Sequence, residues 1–309
     1  MRIAMIGAGA MGCVYGGLLQ RAGEDVTLID IRAEQVSAIA AHGLRLTGVS
    51  GEHRVRPRAA GAGDPLPAFE LAVVFVDANA TAAAAAQAAR LLAPDGHAVT
   101  LQNGIGNVEA LVAALGRGRV LAGVTMNSAN APGPAHGDHS HAGPTWVGEL
   151  DGRRSARLDA LVAMLARAGL ETRIVDDPMA HIWNKFLLNC ALNPLCALTG
   201  LRPGHVPDNP AMLRLLERIV AEVLAVVRAK GIRLPDPDPL ATVKGHCVGR
   251  FNRPSMLQHV EQGRRTEIDA LNGALVREAE ALGLAAPYND AIACAVKGLE
   301  AARMAAVAA

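Results

Sequence analysis

Two patterns in the 309 residues bring together side chains and backbone at spacings that do chemistry. The first is Gly7-Ala8-Gly9-Ala10-Met11-Gly12, with an acid at Asp30 and a base at Arg32 further on. A G-x-G-x-x-G turn between an apolar strand and a helix points free backbone N–H groups at a bound anion, here a pyrophosphate. Gly7 permits the tight turn, Gly9 lets the backbone approach the phosphates, and Gly12 lets the helix pack close to the strand. An acid at the end of the second strand accepts from the ribose 2′-hydroxyl of NAD, whereas an arginine there binds the 2′-phosphate of NADP, so Asp30 and Arg32 pull in opposite directions. A turn whose glycines serve packing alone is the competing reading, and it leaves the spacing of the acid unexplained.

The second pattern is a polar stripe. His181, Lys185, Asn189 and Asn193 recur every four positions in an otherwise apolar segment, so they share one face of a helix. Asparagine is a poor helix former, and unpaired buried amides and ammonium groups are costly. Such a stripe is either a solvated face or the wall of a polar ligand site, and the mid-helix asparagines favour the site. Three other groups carry chemistry less specifically. Ser255-x-x-Gln258 is a capping-box pattern, and Glu267 stands near the start of a predicted helix, where an acid favours the dipole. His136, His139 and His141 lie in a Gly/Pro-rich stretch that reads as a flexible loop, without the fixed second shell that a metal centre needs, so no metal is expected.

The elements that must hold these groups follow from hydrophobic periodicity. Residues 2–6, 26–29, 71–76, 97–101 and 120–125 read as buried strands, alternating with helical stretches at 11–22, 81–92 and 107–115. Residues 144–149 and 172–175 extend the sheet around a helix at 155–168. That alternation predicts a doubly wound, Rossmann-type parallel sheet. After Pro178 the pattern is helical only, at 179–192, 211–230, 266–282 and 287–304, which predicts a dinucleotide-binding domain over 1–178 and a helical substrate domain over 179–309.

Composition narrows the partners. Half the residues are apolar (51%) but only 3% are aromatic, so the core must be built of Leu, Val, Ile and Ala. A net charge of +1 with no basic run excludes the electrostatic footprint of nucleic acid or an anionic membrane surface, leaving a small molecule as the expected partner. Cys13, Cys190, Cys196, Cys247 and Cys294 are odd in number and lack C-x-x-C spacing, which fits a reducing compartment. No apolar run reaches membrane-spanning length, and a cytoplasmic location is expected. The apolar C-terminal helices are compatible with either a monomer or a homodimer.

Over nearly its whole length the sequence resembles the ketopantoate reductase family. The resemblance rests on the turn at residues 7–12, Gln102-Asn103-Gly104, Gly143-Pro144-Thr145 leading to Gly148-Glu149-Leu150-Asp151-Gly152, and Asn184-Lys185 through Asn193-Pro194-Leu195. It continues in Ser255-Met256-Leu257-Gln258 and in Thr266-Glu267-Ile268-Asp269-Ala270-Leu271-Asn272-Gly273. It implies a Rossmann domain followed by a helical domain of the 6-phosphogluconate dehydrogenase-like kind, and NAD(P)H-dependent reduction of 2-dehydropantoate to pantoate in pantothenate synthesis. Carried over by position, Lys185 is the general acid and Glu267 the acid that works with it. Asn189, Asn193, Asn252 and Ser255 are the substrate-binding groups, and Asn103 lines the cofactor pocket. The sequence departs from the family at Asp77, where a lysine is usual. NADPH is the family's cofactor, while Asp30 and Asp77 suggest NADH. A paralogue reducing another 2-oxo acid or carbonyl is the alternative, and a non-catalytic dinucleotide sensor a more distant one.

Overall fold

The computed structural model describes residues 1–308. The chain forms two compact units, one of Met1–Gln102 with Asn107–Met179, the other of Asn103–Gly106 with Ala180–Ala309.

The first unit contains β1 (Arg2–Ile6), α1 (Ala10–Arg21), β2 (Asp25–Asp30), α2 (Ala33–His42), β3 (Leu44–Gly48), β4 (His53–Val55), β5 (Arg58–Gly61) and β6 (Phe69–Val74). It continues through α3 (Thr81–Leu91), β7 (Leu92–Thr100), α4 (Asn107–Leu115), β8 (Val120–Thr125), β9 (Ser128–Gly133), β10 (His136–His141), β11 (Thr145–Glu149), α5 (Ala156–Arg167) and β12 (Thr172–Ile174). Eight strands form one sheet in the order β12-β11-β8-β7-β6-β1-β2-β5, parallel except where β11 runs against β8. Its central strands are apolar on both faces, as strands covered by helices on each side must be. The chain leaves β1 for β2 on one side and returns to β6 on the other, so the order reverses at β1. The loops at the carboxyl ends of β1 and β6 therefore flank a crevice of the type in which open α/β sheets bind ligands.

A second sheet, β4-β3-β10-β9, was not expected from the sequence. The His136 to His141 stretch, read above as a flexible loop, is its strand β10, paired with β3 and β9. Only β3 alternates, burying Leu44 and Leu46 on one face; β4, β9 and β10 are short and carry too few apolar residues to signal strands, so pairing and packing make them so. His139 is buried, with Nδ1 2.5 Å from Ser50 Oγ and Nε2 2.9 Å from Asn127 Oδ1. Among the described residues no group of three or more His, Cys, Asp or Glu side chains is arranged to hold a metal.

Helix α1 lies between the two sheets because its glycines permit it. A Cβ on Gly16 would stand 2.6 Å from Leu28 of the large sheet, and one on Gly17 2.9 Å from Leu44 and Leu46 of the small one. Tyr15, fully buried on α1 next to Gly16, finds partners for its hydroxyl. It donates to Thr125 Oγ1 at 2.8 Å, lies 2.9 Å from Thr145 Oγ1 and accepts from Asn127 Nδ2 at 3.1 Å.

The second unit is helical: α6 (Pro178–Thr199), α7 (Pro210–Ala229), α8 (Pro239–Cys247), α9 (Ser255–Glu261), α10 (Asn272–Ala281) and α11 (Pro287–Ala308). Asn209 caps α7, accepting from the amides of Ala211 and Met212, and Asp238 caps α8 from within the Pro-rich segment. Two expectations are corrected here. Residues 266–282 are not one helix, because a 3-10 turn at Ile268–Ala270 is separated from α10 by Leu271, whose ψ of −106° lies outside the helical basin. Ser255 does not cap α9; the cap position is Pro254, no side chain bonds the first turn, and Gln258 instead donates to the Arg253 carbonyl. Among the described residues no helix is long and apolar enough to cross a membrane.

Replacing Tyr15 with Phe leaves Thr125, Thr145 and Asn127 short of a partner in a dry core. The expected loss is about 1–3 kcal/mol of unfolding free energy, read by urea denaturation, and a loss below about 0.5 kcal/mol would show that the network relaxes around the missing hydroxyl.

Candidate active site

The glycine turn has the geometry of an anion cradle. Gly7 has φ +98°, and a Cβ there would press on the backbone of Phe75 and Val76 at 2.8 Å, while a Cβ on Gly12 would stand 1.8 Å from the Gly7 carbonyl oxygen. Both glycines are thus demanded by packing. Gly9 is not, since a Cβ at that position would meet nothing within 4 Å. As N-cap of α1, Gly9 offers no side chain to the first turn, so the N–H groups of Ala10, Met11 and Gly12 look for acceptors outside the helix. Open space beside an uncapped helix N-terminus fits the pyrophosphate of a dinucleotide.

The peptide of Ala8 is pinned from both sides. Its N–H donates to Asp30 Oδ2 at 2.9 Å; its carbonyl accepts from Gln35 Nε2 at 2.7 Å, Arg32 Nη2 at 3.2 Å and the Cys13 thiol at 3.3 Å. Gln35 also accepts from the Ala135 amide, tying the turn to the small sheet. Sequence reading passed over Gln35, whose only signal is a glutamine in the first turn of α2.

Asp30 and Arg32, which read from sequence as opposed and independent, form one ion pair. Asp30 Oδ1 accepts from the Arg32 amide at 2.9 Å and from Nε at 3.0 Å, and Oδ2 accepts from Nη2 at 3.0 Å. Burial pushes the Asp30 carboxyl up, but the Arg32 and Ala8 hydrogen bonds outweigh it and hold it below the usual carboxylate range. The Arg32 side chain stays 56% exposed. Its guanidinium is held above its ordinary range by the Asp30 bonds, against burial, with a smaller attraction from Asp77. Asp77 is exposed just beyond β6, at the N-cap of the turn Ala78–Ala80.

In the helical unit, α6 carries the polar stripe. Lys185 is largely enclosed, and burial lowers its ammonium to about 8, with the Glu267 carboxylate pulling in the other direction. Glu267 is the N-cap of the turn Ile268–Ala270 and bonds no amide there, so its side chain is not spent on capping. Asn189, one turn beyond Lys185, is 9% exposed, and its Nδ2 finds no hydrogen-bond partner. A buried, unsatisfied donor costs about 1–3 kcal/mol, and an oxygen of a bound ligand would relieve it. The turn Asn103–Gly106 belongs to this unit, and Gly104, at φ +87°, lies so close to the Ala270 carbonyl that a Cβ would approach it to 2.8 Å. Asn103 is thereby held beside the Glu267 segment. Asn193 is half-buried at the far end of the stripe, whereas Asn252 and Ser255 stand exposed before and at the start of α9. The structure thus sets Lys185 against Glu267 with Asn189 one helical turn on, places the loop of Asn103 against Ala270, and leaves Asn252 and Ser255 at the surface. A desolvated ammonium beside a carboxylate and an unpaired amide is suited to protonating a carbonyl oxygen and stabilising developing negative charge on it.

Residues 3–152 match the family described as ketopantoate reductase PanE/ApbA, and residues 177–300 match the family described as ketopantoate reductase PanE/ApbA C terminal. The 2-dehydropantoate 2-reductase of Archaeoglobus fulgidus is 33% identical over 300 residues, 97% of this chain and 98% of its own. Among solved structures, D-mandelate dehydrogenase in a ternary complex with NADH and anilino(oxo)acetate gives a TM-score of 0.92 at 27% identity, covering 98% of this chain and 99% of that one. A PanE/ApbA family ketopantoate reductase from Ralstonia eutropha JMP134 gives 0.90 at 32% identity over the same shares.

The glycines separate folding from binding. Gly9→Ala is expected to keep the wild-type melting temperature within about 2 °C and to weaken dinucleotide affinity at least about tenfold, roughly 1.4 kcal/mol. Gly12→Ala is expected to lose folded yield outright. Fluorescence titration with NADH and NADPH beside thermal melts checks both, and wild-type affinity in Gly9→Ala would remove the pyrophosphate from this turn.

Proposed function

This chain belongs to the ketopantoate reductase PanE/ApbA family and is an NAD(P)-dependent oxidoreductase similar to 2-dehydropantoate 2-reductases, and we propose that it reduces the keto group of 2-dehydropantoate to give pantoate. The observation that carries the reading is the enclosed Lys185 ammonium, opposed by burial and supported by Glu267, one helical turn from the unpaired Asn189 amide. A bound nicotinamide supplies hydride to the carbonyl carbon. Lys185 gives its proton to the carbonyl oxygen and is reprotonated from water, so that one hydride and one proton are added. The Asn189 amide donates to a substrate oxygen, Asn193 extends the same polar face, and Glu267 keeps the lysine charged in a site whose low polarity would otherwise strip its proton. Asn252, from the loop before α9, and Ser255, at its first position, supply substrate contacts, and Asn103 lines the nicotinamide side.

For the cofactor, two carboxylates, Asp30 and Asp77, act on the single guanidinium of Arg32. Local charge there is net negative, which opposes a 2′-phosphate and favours NADH over the family's NADPH. The same acid at 77 and the likeness to D-mandelate dehydrogenase, whose solved complexes hold NADH, support a second reading in which the substrate is a 2-oxo acid with a different side chain. Steady-state kcat/KM for 2-dehydropantoate, phenylglyoxylate and small aliphatic 2-oxo acids, each with both cofactors, decides. A preference of more than about tenfold for 2-dehydropantoate supports the first reading; the same margin for phenylglyoxylate supports the second; no hydride transfer with any of them overturns both.

Lys185→Ala is expected to lower kcat by about 10²–10⁴-fold with little change in dinucleotide affinity, the usual worth of a general acid. Reduction needs the ammonium, so kcat should fall as pH rises through about 8. Removing the carboxylate in Glu267→Gln takes away the influence that raises this value, so the midpoint must move towards lower pH. A midpoint that stays put or rises would take Glu267 out of the pair. Asp77→Lys should lower the NADH-to-NADPH ratio of kcat/KM about tenfold or more, and a ratio unchanged within about twofold, roughly 0.4 kcal/mol, would show that Asp77 does not set cofactor choice.

A further inference from the structure

Helix α6 contains Pro194, one residue after Asn193. Proline has no N–H, so the carbonyl four residues back, that of Cys190, loses its helical donor in the middle of a buried helix. The replacement comes from outside. Asn272, fully buried at the first position of α10, donates its Nδ2 to the Cys190 carbonyl at 3.2 Å and to Asn289 Oδ1 at 2.9 Å. Asn289 is held in turn, donating to the Ile219 carbonyl at 3.3 Å and to Glu222 Oε2 at 2.7 Å, while Glu222 also accepts the amides of Tyr288 and Asn289.

The direction of these bonds is fixed. The Cys190 carbonyl only accepts, and Asn289 must turn its NH2 towards Ile219 and Glu222, so its oxygen faces Asn272. Asn272 therefore serves as a double donor, and its own Oδ1 is left buried without a partner. An apolar side chain would fill the volume without an orphaned oxygen, so the amide is there for what it donates.

The place of this bond matters. Lys185 and Asn189 precede the Cys190 carbonyl on α6, which Pro194 deprives of its helical donor, and Asn193 directly precedes Pro194. Asn272 follows Glu267 by five positions, one residue beyond the turn Ile268–Ala270. One amide thus ties the helix of the lysine to the segment of the acid at the point where the helix ladder is interrupted.

We propose that Asn272 is a positioning residue that replaces the hydrogen bond Pro194 removes from α6, and so fixes Lys185 and Asn189 relative to Asn193 and Glu267. The proposal rests on the catalytic reading of Lys185 given above, and its test includes a measurement that does not require turnover. If Asn272 stands in for the missing helix N–H, supplying that N–H by Pro194→Ala must make Asn272 dispensable to the site. The four proteins compared are wild type, Asn272→Ala, Pro194→Ala and the double variant. With Pro194 in place, Asn272→Ala is expected to lower kcat/KM for the 2-oxo acid at least about tenfold with unchanged dinucleotide affinity; in the Pro194→Ala background the same change should cost less than about threefold, a coupling of the size that contacting residues show.

The second measurement is the titration of Lys185 in protein carrying 13C-lysine, with Lys185→Arg assigning its signal among the chain's four lysines, Lys185, Lys230, Lys244 and Lys297. Its midpoint should move by more than about half a unit in Asn272→Ala and return in the double variant, since the burial of Lys185 and its distance to Glu267 together set it. Equal effects of Asn272→Ala in both backgrounds, in rate and in midpoint, overturn the proposal. Should Asn272→Ala fail to fold, Pro194→Ala must restore its folded yield, and a double variant that stays unfolded overturns it equally. A wild type that turns over no 2-oxo acid refutes the catalytic reading alone, and the lysine midpoints still decide the role of Asn272.

Discussion

A Cβ atom at position 12 would stand 1.8 Å from the carbonyl oxygen of Gly7, and the N-terminal unit is organised around the approach that its absence allows. That approach sets α1 directly on the end of β1. The same helix then lies against the large sheet through Gly16 and against the small one through Gly17, with Tyr15 between them as a buried polar anchor. The amides at the start of α1 are consequently held on a base that cannot retreat from a bound anion, which is the preorganisation that favours tight binding. The Ala8 peptide, gripped by Asp30, Arg32, Gln35 and Cys13, completes the rigid frame.

The helical unit solves a different problem. For the proton donation proposed for Lys185, the side chain would have to be less basic than a lysine in water and yet remain mostly charged. Burial supplies the first condition and Glu267 the second, and the balance brings Lys185 to about 8. The two effects act through different features, the apolar wall of α6 and a carboxylate on a separate segment, so each is adjusted by substitutions that leave the other in place.

Much of this is legible in the sequence because it depends on local rules. The helix at 107–115 and the strand at 120–125 have the same bounds in the structure as in the periodicity. The four-residue spacing of His181, Lys185, Asn189 and Asn193 is a property of any helix. What is not legible depends on partners far away in the chain. The small sheet is built from short segments, most of them polar, that become strands only on pairing, and of the β10 histidines with their metal-like spacing His136 is bonded to Thr47 and His139 to Ser50 and Asn127. Asp30 and Arg32 stand two residues apart, and only coordinates show that one occupies the other. The break at Leu271 falls where the Asn272 side chain is committed to the distant Cys190 carbonyl, a partner that no local propensity records.

The small sheet also constrains the order in which the molecule assembles. Its parallel pairing of β3 with β10 joins segments about ninety positions apart, as in the bonds from Thr47 to Asp138 and from Ser50 to His139, with sequence separations of 91 and 89. Closing so long a loop carries an entropic cost that local contacts do not, and such pairings slow folding. On the ribosome, β3 and β4 must wait as an unpaired hairpin edge while β5 to β9 are made. Leu44 and Leu46, which later cover Gly17 of α1, lack their β10 neighbour until then. The glycine turn at residues 7–12, among the first segments synthesised, is therefore among the last to become rigid, and the nascent chain reaches residue 141 before the helix behind it is enclosed on both sides.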